Sequence, residues 1–198
     1  MHQRIAEAAA ALFAARGYDA VTVTEIASLA DVSEQTVYNF FPSKEMLVLD
    51  EDAAFEARLV GMIRERQSRT KIADAVRRGA RAFLRDLDAK PKGRNTRGGL
   101  PYLINASPSL RRAWLAAVER YAGAVAKVLI EESGGALPPL AAKLLGFSVV
   151  GIFSFIIDEI GRARTQDANI ETLFKRLFVQ VDDAVDRIAP ALNSVRSR

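Results

Sequence analysis

Apolar residues return at helical spacing along almost the whole chain, and no segment alternates with period two over β-branched residues. That pattern predicts an all-α fold of about nine helices. In the first of them, His2 to Arg16, the residues Ile5, Ala8, Ala9, Leu12 and Phe13 fall at i, i+3, i+4, i+7 and i+8 and form one apolar stripe. Gly17 follows as a stop.

The breaks between helices are marked by caps and breakers. Thr22 or Thr24 caps a second helix reaching about Ala30, because a hydroxyl can accept a bond from a free backbone N–H. Asp31-Val32-Ser33 is a short turn, Ser33 caps a third helix from Glu34 to Phe40 or Phe41, and Pro42 ends it. A long fourth helix is expected from Ser43 to about Gln67, and a fifth from Thr70 to Ala89. Lys90 to Gly99 is Pro/Gly/basic and reads as an exposed loop. After a short piece from Leu100 to Ser107, Pro108 opens a helix that Gly134-Gly135 stops. Pro138-Pro139 opens the next, to about Arg164, and Asp167 or Asn169 caps the last, expected to end near Ile188 before Pro190. The apolar run Leu144–Ile157 is shorter than the ~17–25 residues of a membrane span and reads as a core or interface helix.

The second and third helices, joined by a three- or four-residue turn, have the spacing of a helix-turn-helix, whose second helix enters the major groove of DNA. Steep packing of two helices needs a small residue at the crossing, and Ala27 stands there. Ile26, Ala30, Val32, Val37 and Phe40 supply the inner apolar faces. Asp31 occupies the turn position that favours a left-handed conformation, which Asp tolerates better than most residues. The outward side then carries Glu34, Gln35, Thr36, Tyr38 and Asn39. Gln pairs with adenine and Thr meets a thymine methyl; Tyr38, Lys44 and the threonines Thr22 and Thr24 are placed to hold phosphates, which positions without specifying.

The run from Ile5 to Leu47 resembles the N-terminal domain of the tetracycline-repressor (TetR) family. Leu12-Phe13, Gly17-Tyr18, Val32-Ser33 and the string Thr36-Val37-Tyr38-Asn39-Phe40-Phe41-Pro42-Ser43-Lys44-Glu45 carry the resemblance. It implies an N-terminal three-helix DNA-binding domain, residues 1–47, and a C-terminal effector-binding and dimerisation bundle, residues 48–198. It also implies a cytoplasmic homodimer, binding a palindromic double-stranded operator as a repressor and released by a small molecule. By matching positions, Thr22, Thr24, Gln35, Thr36, Tyr38, Asn39 and Lys44 become the DNA contacts. The family often has a basic residue near Glu34 and Gly or Pro near Gln35, so this reading helix is unusually acidic and polar.

The resemblance also places an effector pocket among the middle helices, with Phe55, Leu59, Met62, Phe83, Leu87, Tyr102, Leu103, Trp114, Val118, Tyr121, Phe147 and Phe153 as its candidate lining. Such a set suits an apolar or aromatic effector with few polar handles. The last two long helices would form the dimer: Leu144, Val150, Gly151, Ser154, Phe155 and Asp158 on one, Leu173, Leu177 and Val181 on the other, packed as four helices about a two-fold axis.

Charge is divided unevenly. Residues 1–57 hold three Lys/Arg against ten acids, and residues 58–100 hold thirteen against four, within a net charge of +4. The basic block reads as a solvated surface or as a site for an anionic effector. The acidic N-terminal part keeps open a different class, a small-molecule-binding bundle with vestigial DNA binding. An enzyme has little support. The chain has no cysteine, its one histidine is His2, and no phosphate-cradling glycine loop is present, so thiolate, triad and P-loop chemistries are unsupported and neither cofactor nor metal is expected.

Overall fold

The computed structural model describes residues 1–50, 52–89, 99–166 and 169–195. Among them are nine α-helices, one 3-10 turn and no strand: α1 (His2–Arg16), α2 (Val23–Leu29), α3 (Glu34–Phe40), the 3-10 turn Glu45–Leu47, α4 (Asp52–Arg64), α5 (Ile72–Ala89), α6 (Leu100–Ala106), α7 (Pro108–Glu132), α8 (Pro139–Thr165) and α9 (Ile170–Ser194). The all-α expectation holds. The loop expected at Lys90–Gly99 lies outside the described residues except for Gly99, the N-cap of α6.

Two compact units divide the chain. The first comprises Met1–Asp52, Pro91–Leu115 and Ile157–Ala168. Its N-terminal part is a three-helix cluster in which α2 packs against both α1 and α3. Ile5, Ala9 and Phe13 of α1, Ile26 and Ala27 of α2 and Val37 of α3 are all buried, so the small residue at the helix crossing is where the spacing put it. Phe40 is a correction. It is 43% exposed and Phe41, the next residue, is buried instead. Phe41 is already extended backbone (φ −130°, ψ 96°), which turns its ring inward after the last helical residue.

The same unit holds a second polar junction. The Asp19 carboxylate accepts from the hydroxyls of Ser107, at 2.8 Å, and Ser109, at 3.1 Å. Ser107 Oγ also accepts from Leu110 N–H, capping α7. On α8, Gly161 admits Asn105 and the Pro101 carbonyl so closely that a Cβ there would lie 2.2 Å from that oxygen.

The second unit comprises Ala53–Lys90, Ala116–Ile156 and Asn169–Arg198. Here α5 and α9 pack extensively against each other. Leu173, Leu177, Val181 and Val185 of α9 are buried, as are Ile72, Val76, Ala80 and Leu84 of α5. Gly146 of α8 sits against the backbone of α7, where a Cβ would come within 2.3 Å of the Ala122 carbonyl oxygen.

Two boundaries differ from the sequence reading. The long fourth helix is broken: the 3-10 turn Glu45–Leu47 comes first and α4 begins at Asp52. The last helix does not stop before Pro190 but runs through it to Ser194. Proline costs a helix one backbone hydrogen bond. Beyond it, Leu192 is fully buried and Asn193 Oδ1 accepts from the Ala73 N–H of α5, so tertiary contacts hold the final turn.

Helix α8 spans Pro139–Thr165, within a residue of the expected bounds. At 27 residues it is, among the described residues, the one helix long and apolar enough to cross a membrane, yet only 44% of its most apolar window is buried. Leu140, Leu144, Phe147 and Phe155 are exposed together with Gly151, at spacings that place all five on one face.

Candidate functional site

The N-terminal cluster builds a presented helix from local chemistry. Thr22 caps α2: its Oγ1 accepts from the Glu25 N–H at 3.2 Å while Glu25 Oε2 accepts from the Thr22 N–H at 2.8 Å. This reciprocal capping box satisfies two free helix donors. Arg16 adds a bond to Glu25 Oε1 at 2.6 Å. The Thr22 N–H first, then Arg16, hold the Glu25 carboxyl at about 2, well below its ordinary value.

The turn follows. Asp31 is in the left-handed region at φ 51°, as its position suggested, and Val32 N–H donates to the Ala27 carbonyl at 3.0 Å. Ser33 then caps α3, its Oγ accepting from Thr36 N–H at 3.1 Å. On that helix Val37 points inward, while Glu34, Gln35, Tyr38 and Asn39 are exposed and Thr36 is half-buried. Gln35 Nε2 donates to Asn39 Oδ1 at 3.1 Å, and the Ser33 and Thr36 hydroxyls lie 2.8 Å apart.

The seven residues singled out from the sequence therefore fall into two groups. Gln35, Thr36, Tyr38 and Asn39 share the presented helix, and Thr24 is exposed on α2. Thr22 is exposed but engaged in the capping box of α2, and Lys44 is engaged within the cluster. Lys44 Nζ donates to the Tyr18 carbonyl at 2.6 Å and sits 4.1 Å from the centre of the Tyr18 ring. Burial lowers the Lys44 ammonium pKa, opposed by the charge of Asp19. Burial also raises the Tyr18 phenol, with Glu45 reinforcing it. At the far end of α1, His2 stacks on Phe41 with ring centres 4.6 Å apart, and its Nε2 lies 3.0 Å from Asp50.

The second unit holds a cavity of about 150 Å³ lined by Phe55, Arg58, Leu59, Met62, Gly79, Ala82, Phe83, Asp86 and Phe153. Four aromatic rings gather there: Phe55 lies 5.4 Å from Phe83, 5.3 Å from Tyr121 and 5.9 Å from Phe153. These spacings are typical of edge and tilted aromatic packing. Five of the twelve residues expected at a pocket line it, and Tyr121 backs Phe55. Leu87 and Val118 belong to the same unit but not to this lining, Tyr102, Leu103 and Trp114 belong to the other unit, and Phe147 is on the exposed face of α8.

Arg58, Gly79, Ala82 and Asp86 were missed. Their signal was present, since Phe55, Arg58, Leu59, Met62 and Gly79, Ala82, Phe83, Asp86 each follow i, i+3, i+4, i+7 spacing on one helix face. A selection by aromatic and large aliphatic type passed over small and charged members of the same stripe. Next to the cavity, and sharing Met62, Gly79 and Ala82, lies an open groove of about 680 Å³ bordered by Glu65, Arg66 and Arg78.

Four arginines of the basic block pair with acids of later helices. Arg64 pairs with Glu131, Arg66 with Glu132, Arg77 with Asp182 and Asp186, and Arg81 with Asp182.

The expected dimer residues also divide. Leu144, Gly151 and Phe155 are exposed on α8 and Ser154 is half-buried beside them. Val150, Leu173, Leu177 and Val181 are buried within the subunit, a correction to the expected interface, because the apolar stripe of α9 is the face that packs on α5. Asp158 is hydrogen-bonded to Arg111.

A capped α2, a left-handed turn and a short capped α3 with a polar outward face, among described residues that are otherwise helical, form a helix-turn-helix. Residues 5–50 match the family model described as bacterial regulatory proteins, tetR family. Over 148 residues the chain is 24% identical to a protein of Mycobacterium tuberculosis named as the mycofactocin biosynthesis transcriptional regulator MftR, covering 75% of this chain and 73% of that one. A TetR-family transcriptional regulator from Mesorhizobium loti superimposes with a TM-score of 0.58 at 25% identity, covering 94% of this chain and 93% of that chain. The TetR-family repressor AlkX from a Dietzia strain, implicated in n-alkane biodegradation, superimposes with a TM-score of 0.57 at 21% identity, covering 98% and 97%. The chain is thus similar to TetR-family transcriptional regulators, its residues 5–50 matching the family model and nearly its whole length sharing their fold.

Proposed function

We propose that this chain is a ligand-responsive cytoplasmic repressor that binds a palindromic operator as a homodimer and is released by a small apolar or aromatic effector. In this reading residues 1–47 bind DNA, and residues 48–198 bind the effector and the partner subunit. The observation that carries it is the outward face of α3, where Gln35, Thr36, Tyr38 and Asn39 stand together on a helix fixed at its start by Ser33. Amide and hydroxyl groups are the complement of base edges and phosphates in the major groove. Thr24 completes the set on α2. Thr22 and Lys44 act by holding α2 and the α1–α2 turn in place, and any phosphate contact they make is secondary to that role.

The aromatic cavity supports the effector class. A cavity of about 150 Å³ has room for one benzene-sized ring. A larger effector gains room by displacing Met62, which stands between cavity and groove, and then meets the guanidinium of Arg78. The α8 stripe supports the dimer. Leu140, Leu144, Phe147 and Phe155 leave an apolar surface that a monomer would expose to water, and Gly151 at its centre has nothing within 4 Å of a built Cβ, which lets a partner helix approach closely.

Footprinting on the DNA upstream of the protein's own gene tests the reading. Protection of an inverted repeat, lost in Tyr38→Ala, is the expected result. The absence of protection at low salt would favour the ligand-binding bundle with vestigial DNA binding. A thermal-shift screen then compares simple aromatics and alkanes with their carboxylates. Stabilisation by the apolar members, accompanied by release of the operator, is expected. Stabilisation by carboxylates alone would move the effector to the basic groove.

A further inference from the structure

The structure assigns to Gln35 and Asn39 a joint role, in which Asn39 locks the Gln35 amide so that the pair reads one adenine in a fixed orientation. This rests on the reading of α3 as the helix that enters the major groove. The two residues lie one helical turn apart, both exposed, and Gln35 Nε2 donates to Asn39 Oδ1 at 3.1 Å.

That bond uses one of the two N–H groups of the Gln35 amide. The second N–H and Oε1 remain, one donor beside one acceptor. Adenine offers the matching pair in the major groove, the N7 acceptor and the N6 amino donor, whereas guanine offers two acceptors and would set O6 against Oε1. A free glutamine amide turns about its terminal bond and presents donor and acceptor in either order. The bond to Asn39 removes that freedom and keeps the donor end on the Asn39 side. An A·T pair and a T·A pair present N7 and N6 in opposite order across the groove. A locked amide distinguishes them, and a free one is tolerant of both.

Thr36 is fixed in a comparable way. Its hydroxyl lies 2.8 Å from Ser33 Oγ at the start of the helix, which leaves its methyl group for the methyl of a thymine. The reading face is thus set before DNA arrives, and less side-chain freedom is lost on binding.

The test is selection of binding sites from a randomised duplex library with the full-length protein, followed by affinity measurements on single base-pair swaps. The selected site should contain an adenine whose preference disappears in Gln35→Ala. At that position the wild-type protein should favour A·T over T·A by about 10-fold or more, the scale of one two-point amide–base contact. In Asn39→Ala the preference should fall below about 3-fold, while Asn39→Asp, whose carboxylate still accepts from Gln35 Nε2, should keep it despite weaker overall binding. Simple loss of an independent Asn39 contact would weaken both base pairs equally. An unchanged A·T preference in Asn39→Ala therefore overturns the joint role, as does a guanine at the Gln35 position, with the DNA-reading assignment of α3 left standing. If the wild-type protein enriches no sequence, that assignment fails and this inference with it. Thermal melts of each variant should match the wild type, because both side chains are exposed.

Discussion

At the residue scale, small polar groups at the start of α2 hold together what the apolar core alone does not orient. Glu25 has its carboxyl lowered from 4.5 to about 2 by the Thr22 N–H and by Arg16. A carboxyl lowered on folding stabilises the folded state above its unfolded value, and that contribution fades as the pH falls from about 4.5 towards about 2. Glu25→Gln should accordingly lower the melting temperature at pH 7, with the difference from wild type closing as the pH approaches 2. A constant difference across that range would show that the charge is not what matters. Thr22→Ala removes the other half of the box and should cost about 1 kcal/mol in urea unfolding. Lys44 makes a sharper case. A side chain reserved for DNA phosphate would leave the free protein's stability untouched when replaced. Lys44→Met should instead lose about 1–2 kcal/mol, because its bond to the Tyr18 carbonyl and its seat over the Tyr18 ring are lost. None of this inward role was legible in the sequence. Lysine after a Pro-Ser pair looks like a surface cation, and only the folded cluster brings a carbonyl 26 positions away to its ammonium.

Helices were legible where their signals are local. Ser33 and Thr22 as caps, Asp31 as the left-handed residue and Gly134-Gly135 as a stop are each fixed by chemistry within a few positions, and the structure places them accordingly. Boundaries set by distant contacts were not. Pro190 marks the end of α9 by every local rule, yet Leu192 and Asn193 are held from across the unit. Glycine shows the same limit, since its meaning depends on what faces it. Gly146→Ala should destabilise the protein by about 1–3 kcal/mol, because the added carbon meets the Ala122 carbonyl of α7, backbone that cannot turn aside. Gly123→Ala, on the same pair of helices but with nothing within 4 Å, should raise stability by up to ~1 kcal/mol through helix propensity. Chemical denaturation of the two variants decides it, and equal effects would mean that the α7–α8 approach is looser than described.

At the scale of the whole molecule, the charge pattern and the apolar surface change meaning once the chain is folded. The basic block of the middle third looked like a possible anion site, and four of its arginines, Arg64, Arg66, Arg77 and Arg81, pair with Glu131, Glu132, Asp182 and Asp186, acids far along the chain that spacing does not associate with them. The residues expected at a dimer interface divide between an exposed and a buried face. Helical periodicity finds an apolar face on α9 as readily as on α8, but it does not say which face the subunit covers for itself. Burial of Leu173, Leu177 and Val181 assigns the α9 face to the interior and leaves that of α8 exposed, the surface proposed for a partner. Sedimentation of wild-type protein should give a dimer, and Leu144→Asp combined with Phe147→Glu should give a folded monomer that no longer protects an inverted repeat. A dimer that survives both changes would place the interface elsewhere.

The open glycine in the α8 stripe bears on how such a regulator keeps to itself. In a two-fold interface every substitution enters twice, once from each copy. In the proposed homodimer, a single codon change at Gly151 would therefore set two new side chains into the interface, but only one in a mixed pair formed with an unmodified relative. After gene duplication, one mutation at this position would make like-with-unlike pairing the easier association, until a compensating hollow arose nearby. Kinship between duplicated regulators is in that sense recorded at a position that carries no side chain.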